Sequence, residues 1–429
     1  MCIGKIKLVA FIIIFYSSFA KVFAQPQPQN AMVFNQDTVS LTIAEAEQRF
    51  VSKNLTLLIN KFNIDIANAN YLQAKLWYNP NLSYWQEMYN SSTKKVLNQA
   101  DESGGQISQL LTIAGRHKAT WKLAQVGVKL AEYQFADLLR NLKYELHTGI
   151  SDLYFNQQLI KMYQNEEVQI KHLLEGTREL YKHGNAAKND VIQLQAQLQD
   201  IIAQEITSKQ ATYNDLQDLK ILLLYPEKTY FVVKELPTYK TGLPTYGAVL
   251  DSAEKNRPDL LLSYVGSEYA QKNLKLQRAT AMPDLMLSTT YETANDYQPN
   301  FYGIQASMDL PVWNRNQWNI AAAKYGIQQA ELTDTLTFNT VKNQVTNAYC
   351  TLLLTNKQLN LIDPQYGNDL NEMMDNAIKN FEHHNINLLA LLSYISTYND
   401  GKTNLINLNV QYFNAIHNIN LNTGVELIK

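Results

Sequence analysis

The chain has 429 residues, 46% of them hydrophobic and 18% charged. This length leaves room for two or three domains, and the apolar content excludes an intrinsically disordered chain and a disulfide-stapled miniprotein. The formal net charge is −2, and no stretch concentrates Lys and Arg, so nucleic acid is not expected as a partner.

The first 24 residues follow the pattern of a secretory signal peptide. Lys5 and Lys7 precede the apolar run LVAFIIIFYSSFA, and the small residue Ala24 ends the stretch VFA, as signal peptidase requires near its cut. A retained membrane helix is the alternative, but the run is shorter than the roughly 20 apolar residues that a span needs. We predict export and cleavage after Ala24, which leaves Cys350 as the one cysteine of the mature chain.

Proline spacing predicts two very long helical segments. No proline lies between Pro80 and Pro226, and Pro364 is the only one after Pro311, so both segments nearly lack the residue that most strongly breaks helices. Because Pro364 removes a backbone hydrogen bond, we predict a bend or short break near 363–364 that the first half of the chain lacks.

Apolar residues recur at helical intervals in both segments. Between Arg116 and Tyr181 they predict one helix on the order of 100 Å long. From Leu391 to Ile419 they follow a heptad-like spacing, and the stretch 191–201 begins the same pattern. This spacing is typical of coiled-coil packing or of a helical core, and both require helices that lie side by side.

Short alternating stretches predict two β-hairpins, each with one apolar and one polar face. FYGIQASMDLPVW and PDLMLSTTYE both alternate, and the turn-forming TANDYQPN separates them. They predict a hairpin at about 283–313, while PNLSYWQEMY and GGQISQLLTI predict a second, with weaker alternation, at about 80–113. The strands are close to the ~9–11 residues that cross a bilayer at a tilt.

Aromatic residues gather at or near the ends of these strands. In a membrane, such rings would occupy the interface with water. The alternative is a soluble sheet edge that packs on the helices. The residues are Tyr84, Trp85, Tyr89, Tyr291, Tyr297, Phe301, Tyr302 and Trp313.

The chain also contains an internal repeat with an offset of about 200 residues. SQLLTIAGR corresponds to SMDLPVWNR, and YKHGN corresponds to FEHHN. We predict a first structural repeat at 25–242 and a second at 243–429. Each would hold a β-hairpin followed by a long helical hairpin, at about 115–224 and 315–427 respectively.

Four strands cannot close a barrel by themselves. Open sheet edges in hydrocarbon leave unpaired backbone groups that cost several kcal/mol each, so we expect several chains to share one barrel. Three chains would supply twelve strands, whereas two would supply eight, and the interior of an eight-stranded barrel is filled by side chains.

Taken in chain order, the motifs NPNLS, YKHGN with DVIQLQAQL, MPDLMLS, SMDLPVWNR and LNVQYFNAIHNINLNTGVEL resemble the outer membrane factor, or TolC-like, family. The resemblance covers essentially the whole mature chain. It implies a mainly α fold with a small membrane β-part, in which a homotrimer joins a 12-stranded outer-membrane β-barrel to a periplasmic α-barrel. It also implies outer-membrane lipid around the barrel and no cofactor.

The activity that this resemblance implies is passive export. Such channels receive small molecules or metal ions from an inner-membrane efflux pump through a periplasmic adaptor, which contacts the tips of the helical hairpins. The matching tip residues here are Gly184 and Asn185, and His384 and Asn385. Glycine tolerates positive φ in such a turn, and His384 stands where the family has glycine, so the second tip is expected to bend differently.

Some members of the family carry acids just inside the second tip, which ring the entrance and select cations. This sequence has Ala390 and Ser393 there, so we expect no acidic ring at these positions. Asp190 follows the first tip and is a candidate pore-entrance residue. A carboxylate that is solvated or that caps the following helix is the alternative.

The substrate class stays open between metal ions and other small molecules. The stretch ISQLLTIAGRHK is similar to a pattern in the heavy-metal-efflux branch of the family, and EHHN places two histidines at a tip. His383 and His384 are adjacent, so on a helix their side chains would diverge by roughly 100°. We therefore expect them to line a turn and predict no metal site.

The sequence contains no GxSxG, HExxH, P-loop or dinucleotide-binding motif, so no catalytic residues and no enzymatic activity are predicted. The alternative to a channel is a periplasmic coiled-coil protein, structural or adaptor-like, without a pore. That protein would be soluble, and its hairpins would lack a lipid-facing apolar side.

Overall fold

The computed structural model describes residues 37–91, 94–97, 102–237, 239, 242–294 and 299–428. The predicted signal peptide and the aromatic residue Tyr297 lie outside these ranges. The strands are β1 Asp37–Leu41, β2 Asn81–Gln86, β3 Tyr89–Asn90, β4 Lys95–Val96, β5 Ser103–Leu111, β6 Thr229–Val233, β7 Leu285–Ala294 and β8 Pro299–Met308. The helices are α1 Ile43–Lys53, α2 Leu55–Ala74, α3 Arg116–Lys182, α4 Lys188–Leu223, α5 Tyr246–Asn256, α6 Pro258–Thr280, α7 Gln317–Asn360, α8 Tyr366–Glu382 and α9 Leu388–Thr423.

Helix α3 runs for 67 residues without a break, as its periodicity predicts. At 1.5 Å per residue it is about 100 Å long. It buries Leu146, Ile150 and Leu153, which are spaced four and three residues apart and therefore lie on one face. These side chains pack in one cluster with Leu216 and Leu219 of the returning helix α4.

The second arm is interrupted where Pro364 predicts it. Helix α7 ends at Asn360 and α8 begins at Tyr366. The Asp363 side chain accepts a hydrogen bond from the backbone N–H of Gln365 at 2.8 Å, which fixes the turn between them. The predicted break, absent from α3, is confirmed.

Helix α9 braces this break from the side. The Lys402 ammonium donates a hydrogen bond to the backbone oxygen of Gly367 at 2.7 Å. An added Cβ at Gly401 would lie 2.7 Å from Leu370 Cδ1, so the two helices approach closely only because that residue has no side chain.

Both predicted hairpins contribute to one antiparallel sheet of four strands in the order β2-β5-β7-β8. The two repeats meet at its centre, where Ile107 of β5 pairs with Thr289 of β7. Thr289 in turn pairs with Ile304 of β8, so these residues share a face, as the alternation predicts.

A Trp side chain covers a glycine on the opposite face of this sheet. Trp85 pairs with Gly104 across β2 and β5. A Cβ at Gly104 would lie only 2.4 Å from the Trp85 ring, so the indole occupies the space that any other residue there would need.

A second small sheet lies beside the middle of the long helices. Strands β1 and β6 pair in parallel, and Phe231 of β6 packs with Phe50 of α1 and with α3 and α4. A separate cluster joins α5 to α7 and α9. In the part of the chain that the structure describes, no helix has the length and apolar character needed to cross a membrane.

Candidate channel wall and helical tips

One face of the four-stranded sheet is apolar and open to solvent in the single chain. Leu82 is 75% exposed, Tyr302 is 76% exposed and Ile304 is 90% exposed. The strand register places all three on the face of Ile107. A patch of this kind is rare on a soluble monomer, so another apolar phase or partner must cover it.

The opposite face of the sheet is polar along its centre, although it also carries Trp85. In the register, Ser83 pairs with Gln106, Gln106 pairs with Thr290, and Thr290 pairs with Gly303. Sheets that separate lipid from a water-filled interior have this division of faces.

The sheet has two open edges. Strands β2 and β8 each pair on one side only within the described residues. An unpaired edge offers a row of N–H and C=O groups that can pair with another strand.

The helices below the sheet continue it in the same order. Helix α2 precedes β2, α3 follows β5, α6 precedes β7 and α7 follows β8, and the helices pack as neighbours in the row α2-α3-α6-α7. The sheet and the helix row therefore form one continuous wall.

Large apolar side chains remain exposed at the two ends of the helix row. Helix α2 exposes Ile59, Phe62 and Ile66, and α7 exposes Trp318 and Tyr325. Their spacings of three, four and seven residues place each set along one side of its helix. Both ends of the row thus present surfaces that suit packing against another helix.

The two helical tips have the same backbone geometry. Gly184 has a φ of 77° and His384 a φ of 57°, both in the left-handed region. The N–H of Asn185 donates to the Leu180 oxygen at 2.8 Å, and the N–H of Asn385 donates to the Asn380 oxygen at 2.8 Å. The expectation that the second tip bends differently is wrong, because this closing hydrogen bond holds His384 in the conformation that glycine adopts freely.

The helices that follow the two tips, α4 and α9, are capped by opposite contacts. At the first tip a side chain within the helix accepts the hydrogen bond, and at the second tip the side chain just before the helix accepts it. The Asp190 carboxylate accepts a hydrogen bond from the Ala187 N–H at 3.2 Å. In the second tip the Asn387 side chain accepts one from the Ala390 N–H at 2.9 Å. Asp190 therefore makes the helix-capping contact that is the alternative to a role at the pore entrance.

A buried acid lies in the core behind the tips, and sequence reasoning missed it. Glu166 of α3 is 1% exposed, and neither of its carboxylate oxygens has a hydrogen-bond partner among the described residues. Burial raises its pKa to about 7, and the nearby Asn399 of α9 offsets this only in part. Its position three residues after Tyr163 and four before Ile170, on the apolar stripe, was the available signal.

Charged side chains join the C-terminal segment to α1 and α3. His147 Nε2 lies 2.6 Å from a Glu47 carboxylate oxygen, and this hydrogen bond, more than any other contact, lowers the Glu47 pKa. Lys143 pairs with Glu47 at 3.3 Å and also with Glu426. Burial lowers the pKa of His417, which faces His147, to about 3.

The described residues contain no group of three or more His, Cys, Asp or Glu placed to hold a metal ion. His383 and His384 are both exposed at the second tip. The imidazole of His172, on α3, lies 3.8 Å from the Glu382 carboxylate at that end of the molecule.

Comparison with known proteins gives matches in sequence and in fold. Residues 249–419 match the family "Outer membrane efflux protein". The outer membrane protein TolC of Vibrio cholerae is 21% identical over 179 residues, which make up 41% of this chain and 41% of that protein. The resemblance predicted from the sequence is confirmed, and the predicted outer-membrane location agrees with this relative.

Solved structures share the fold across most of the chain. A membrane protein from Pseudomonas aeruginosa superposes with a TM-score of 0.74 at 15% identity, covering 89% of this chain and 90% of that one. The outer-membrane channel OprN gives a TM-score of 0.73 at 15% identity, covering 89% of each chain. The mainly helical fold with a small sheet is therefore confirmed.

Proposed function

Because residues 249–419 match the outer membrane efflux protein family, we propose that this protein is the outer-membrane channel of a tripartite efflux system. It is a passive exit duct for small molecules or metal ions, and it extends from the outer membrane into the periplasm. The observation that carries the proposal is the continuous wall, with its apolar and polar sheet faces and its two open edges.

The channel is a homotrimer. Strand β8 of one chain pairs with β2 of the next, which removes every open edge and gives a barrel of twelve strands. The apolar side of α7 then packs against that of α2 of the next chain, so that twelve helices continue the barrel as a periplasmic tunnel. The two sequence repeats, 25–242 and 243–429, each supply two strands and two helices of this wall.

An inner-membrane pump and a periplasmic adaptor complete the system. The adaptor contacts the two tips at Gly184, Asn185, His384 and Asn385, which the shared left-handed turn presents in the same way. By threefold symmetry, Asp190 forms a ring of three carboxylates just inside the first tip, while it also caps α4.

Single-channel recording in a planar bilayer, with light scattering of the detergent-extracted protein, tests this function. We expect a trimeric mass and discrete conductance steps. A water-soluble monomer without conductance would contradict the proposal and favour the periplasmic coiled-coil protein.

A matched pair of variants tests the two faces of the sheet. Ile304 and Gln305 are adjacent on β8 but lie on opposite faces. Ile304→Lys places a charge against lipid, at a cost of about 2–4 kcal/mol near the midplane, and should reduce the amount of trimer in the outer membrane. Gln305→Lys should leave assembly intact and shift the ion selectivity of the pore toward anions. Equal effects of the two substitutions on assembly would contradict the assigned faces.

A further inference from the structure

Four lysines line a groove between α3 and α6, directly below the sheet. Lys118 and Lys122 come from the first two turns of α3, and Lys272 and Lys275 come from the last three turns of α6. They surround a cavity of about 270 Å³ whose remaining walls are Ala and Gly. The cavity is therefore small, basic and without an acid in its lining.

The charge of this groove is not neutralised within the described residues. Lys118, Lys122 and Lys275 have no carboxylate within ion-pair distance there, and Lys272 lies 3.7 Å from Glu268. Glu268 is shared, because Lys129 pairs with it at 3.2 Å. Lysine clusters of this kind gain most from a ligand that brings negative charge.

The dipole of α3 makes the position of one of these lysines unfavourable on its own. The first turn of α3 contains no acid, and no side chain caps it. Lys118 thus lies in the first turn, at the positive end of a helix, where acids and bound anions are stabilising and cations are not, and Lys122 lies one turn further along. Lys272 and Lys275 lie eight and five residues before the end of α6, outside its last turn, so the helix dipole has little effect on them. An anion between the two helices would offset the charge of the lysines and would be favoured by the N-terminus of α3.

In the proposed trimer the groove lies just below the membrane-spanning sheet, within reach of the lipid headgroups. Helix α3 begins five residues after β5 ends, and α6 ends five residues before β7 begins. The four lysines then lie within about 12 Å of these helix ends. The headgroup layer on each side of a bilayer is roughly 5–8 Å thick, and long lysine side chains reach toward it.

In the proposed trimer the groove faces the outside of the wall. Lys118, Lys122, Lys129 and Lys143 follow one another at spacings that keep them on one face of α3. Lys143 contacts Glu47 of α1 and Glu426 of the C-terminal segment. A closed tunnel has room for three copies of these added elements only on its outside, so the lysines face outward as well.

We infer that this four-lysine groove binds the phosphate of an anionic phospholipid headgroup in the periplasmic leaflet, one lipid per protomer. The inference rests on the proposed outer-membrane trimer. The lipid would neutralise the groove and fix the depth and tilt of the wall at the junction between sheet and helices.

Native mass spectrometry of the detergent-extracted trimer, titrated with phosphatidylglycerol, tests the inference. We expect up to three bound lipids per trimer and at least tenfold weaker binding of phosphatidylcholine. The variant Lys118→Gln/Lys122→Gln/Lys272→Gln/Lys275→Gln should lose at least tenfold in phosphatidylglycerol affinity. The control Lys53→Gln/Lys228→Gln/Lys342→Gln/Lys357→Gln removes the same charge from exposed positions elsewhere and should keep the wild-type affinity.

Two outcomes would overturn the inference. One is equal phosphatidylglycerol affinity of the groove variant and the control. The other is competition by inorganic phosphate at the concentration of the lipid, which would make the groove a site for a soluble anion. Mass and conductance of the same samples separate the two proposals: a conducting trimer without selective lipid binding removes only this inference, whereas a non-conducting monomer removes the channel.

Discussion

The two long arms of the molecule reach the same tip geometry by different routes. The first arm is the single helix α3 of 67 residues, and the second is split into α7 and α8 around Pro364. The left-handed turns and closing hydrogen bonds at the two tips nevertheless match. A continuous helix is therefore not required to build a tip.

The interactions around the two arms also differ. The broken arm is held from the side by Lys402 and by the close approach at Gly401. The unbroken arm carries Glu166, buried without a hydrogen-bond partner beside the same part of α9. The broken arm is thus stabilised at its break, whereas the unbroken arm carries a destabilising buried carboxyl group within its continuous helix.

The largest expected effect on stability comes from Glu166 in the unbroken arm. Its folded-state pKa of about 7 lies above the ordinary glutamate value of 4.5, so the folded state binds the proton more tightly. The stability that this group contributes to the folded state is fully present below about pH 4.5. It is lost as pH rises through 7, which lowers the free energy of unfolding by up to about 3 kcal/mol. We expect a lower thermal unfolding midpoint at pH 8 than at pH 5, and Glu166→Gln should remove most of that difference.

Glu205 provides the matched control for this titration. It is also a buried glutamate, but its hydrogen bond with Lys209 lowers its pKa. Its contribution is present above the ordinary glutamate pKa and is lost as pH falls, so Glu205→Gln should not reduce the loss of stability toward pH 8. A full pH dependence in Glu166→Gln would refute the role of that residue.

The brace at Gly401 gives the next largest effect. Gly401→Ala should destabilise the second arm near its break by about 1–3 kcal/mol, since the new Cβ overlaps Leu370. Gly176→Ala on α3 meets no atom within 4 Å and should stabilise by about 0.5–1 kcal/mol. Thermal unfolding followed by circular dichroism compares the two, and stabilisation by both substitutions would show that the close approach relaxes freely.

The different capping contacts at the two tips predict smaller losses of stability, which differ between the tips. Asn387→Ala removes the N-cap side chain of α9 and should cost about 1 kcal/mol. Asp190→Ala removes only the reciprocal contact of the first tip, at 3.2 Å, and should cost less. Hydrogen exchange of the amides at 187–190 and 387–390 measures the two caps separately. A larger loss of protection in Asp190→Ala would reverse this order.

The smallest effect is expected at the break. Pro364→Ala restores a backbone donor, but the turn at Asp363 and the brace from α9 stay in place, so stability should change by less than about 1 kcal/mol. Spin labels at the exposed Cys350 and at Asn376→Cys would report the distance across the break. An increase to the length of a straight helix would show that Pro364 alone causes the interruption.

The sequence predicts the elements of this fold better than their long-range pairing. Helix α3 and the break at Pro364 follow from local chemistry, namely the apolar period and the missing backbone donor. Strands β1 and β6 do not, because each has only five residues and each pairs in parallel with a segment far along the chain. The central pairing of β5 with β7 likewise depends on contacts between the repeats.

The candidate sites show the same limit. The tip positions could be placed from the motifs YKHGN and FEHHN, but the conformation of His384 could not, because a hydrogen bond to Asn380 decides it. The lysine groove combines residues that are about 150 positions apart. Only the packing of α3 against α6 brings them together.

The pairing of Trp85 with Gly104 constrains how this sheet can change over evolutionary time. Any side chain added at position 104 collides with the indole ring, while loss of the indole exposes a bare stretch of backbone at a residue with weak strand preference. Each single substitution is therefore harmful, although a joint replacement by two medium-sized residues would be tolerated. The two positions form an epistatic pair, and lineages should keep both residues or exchange both.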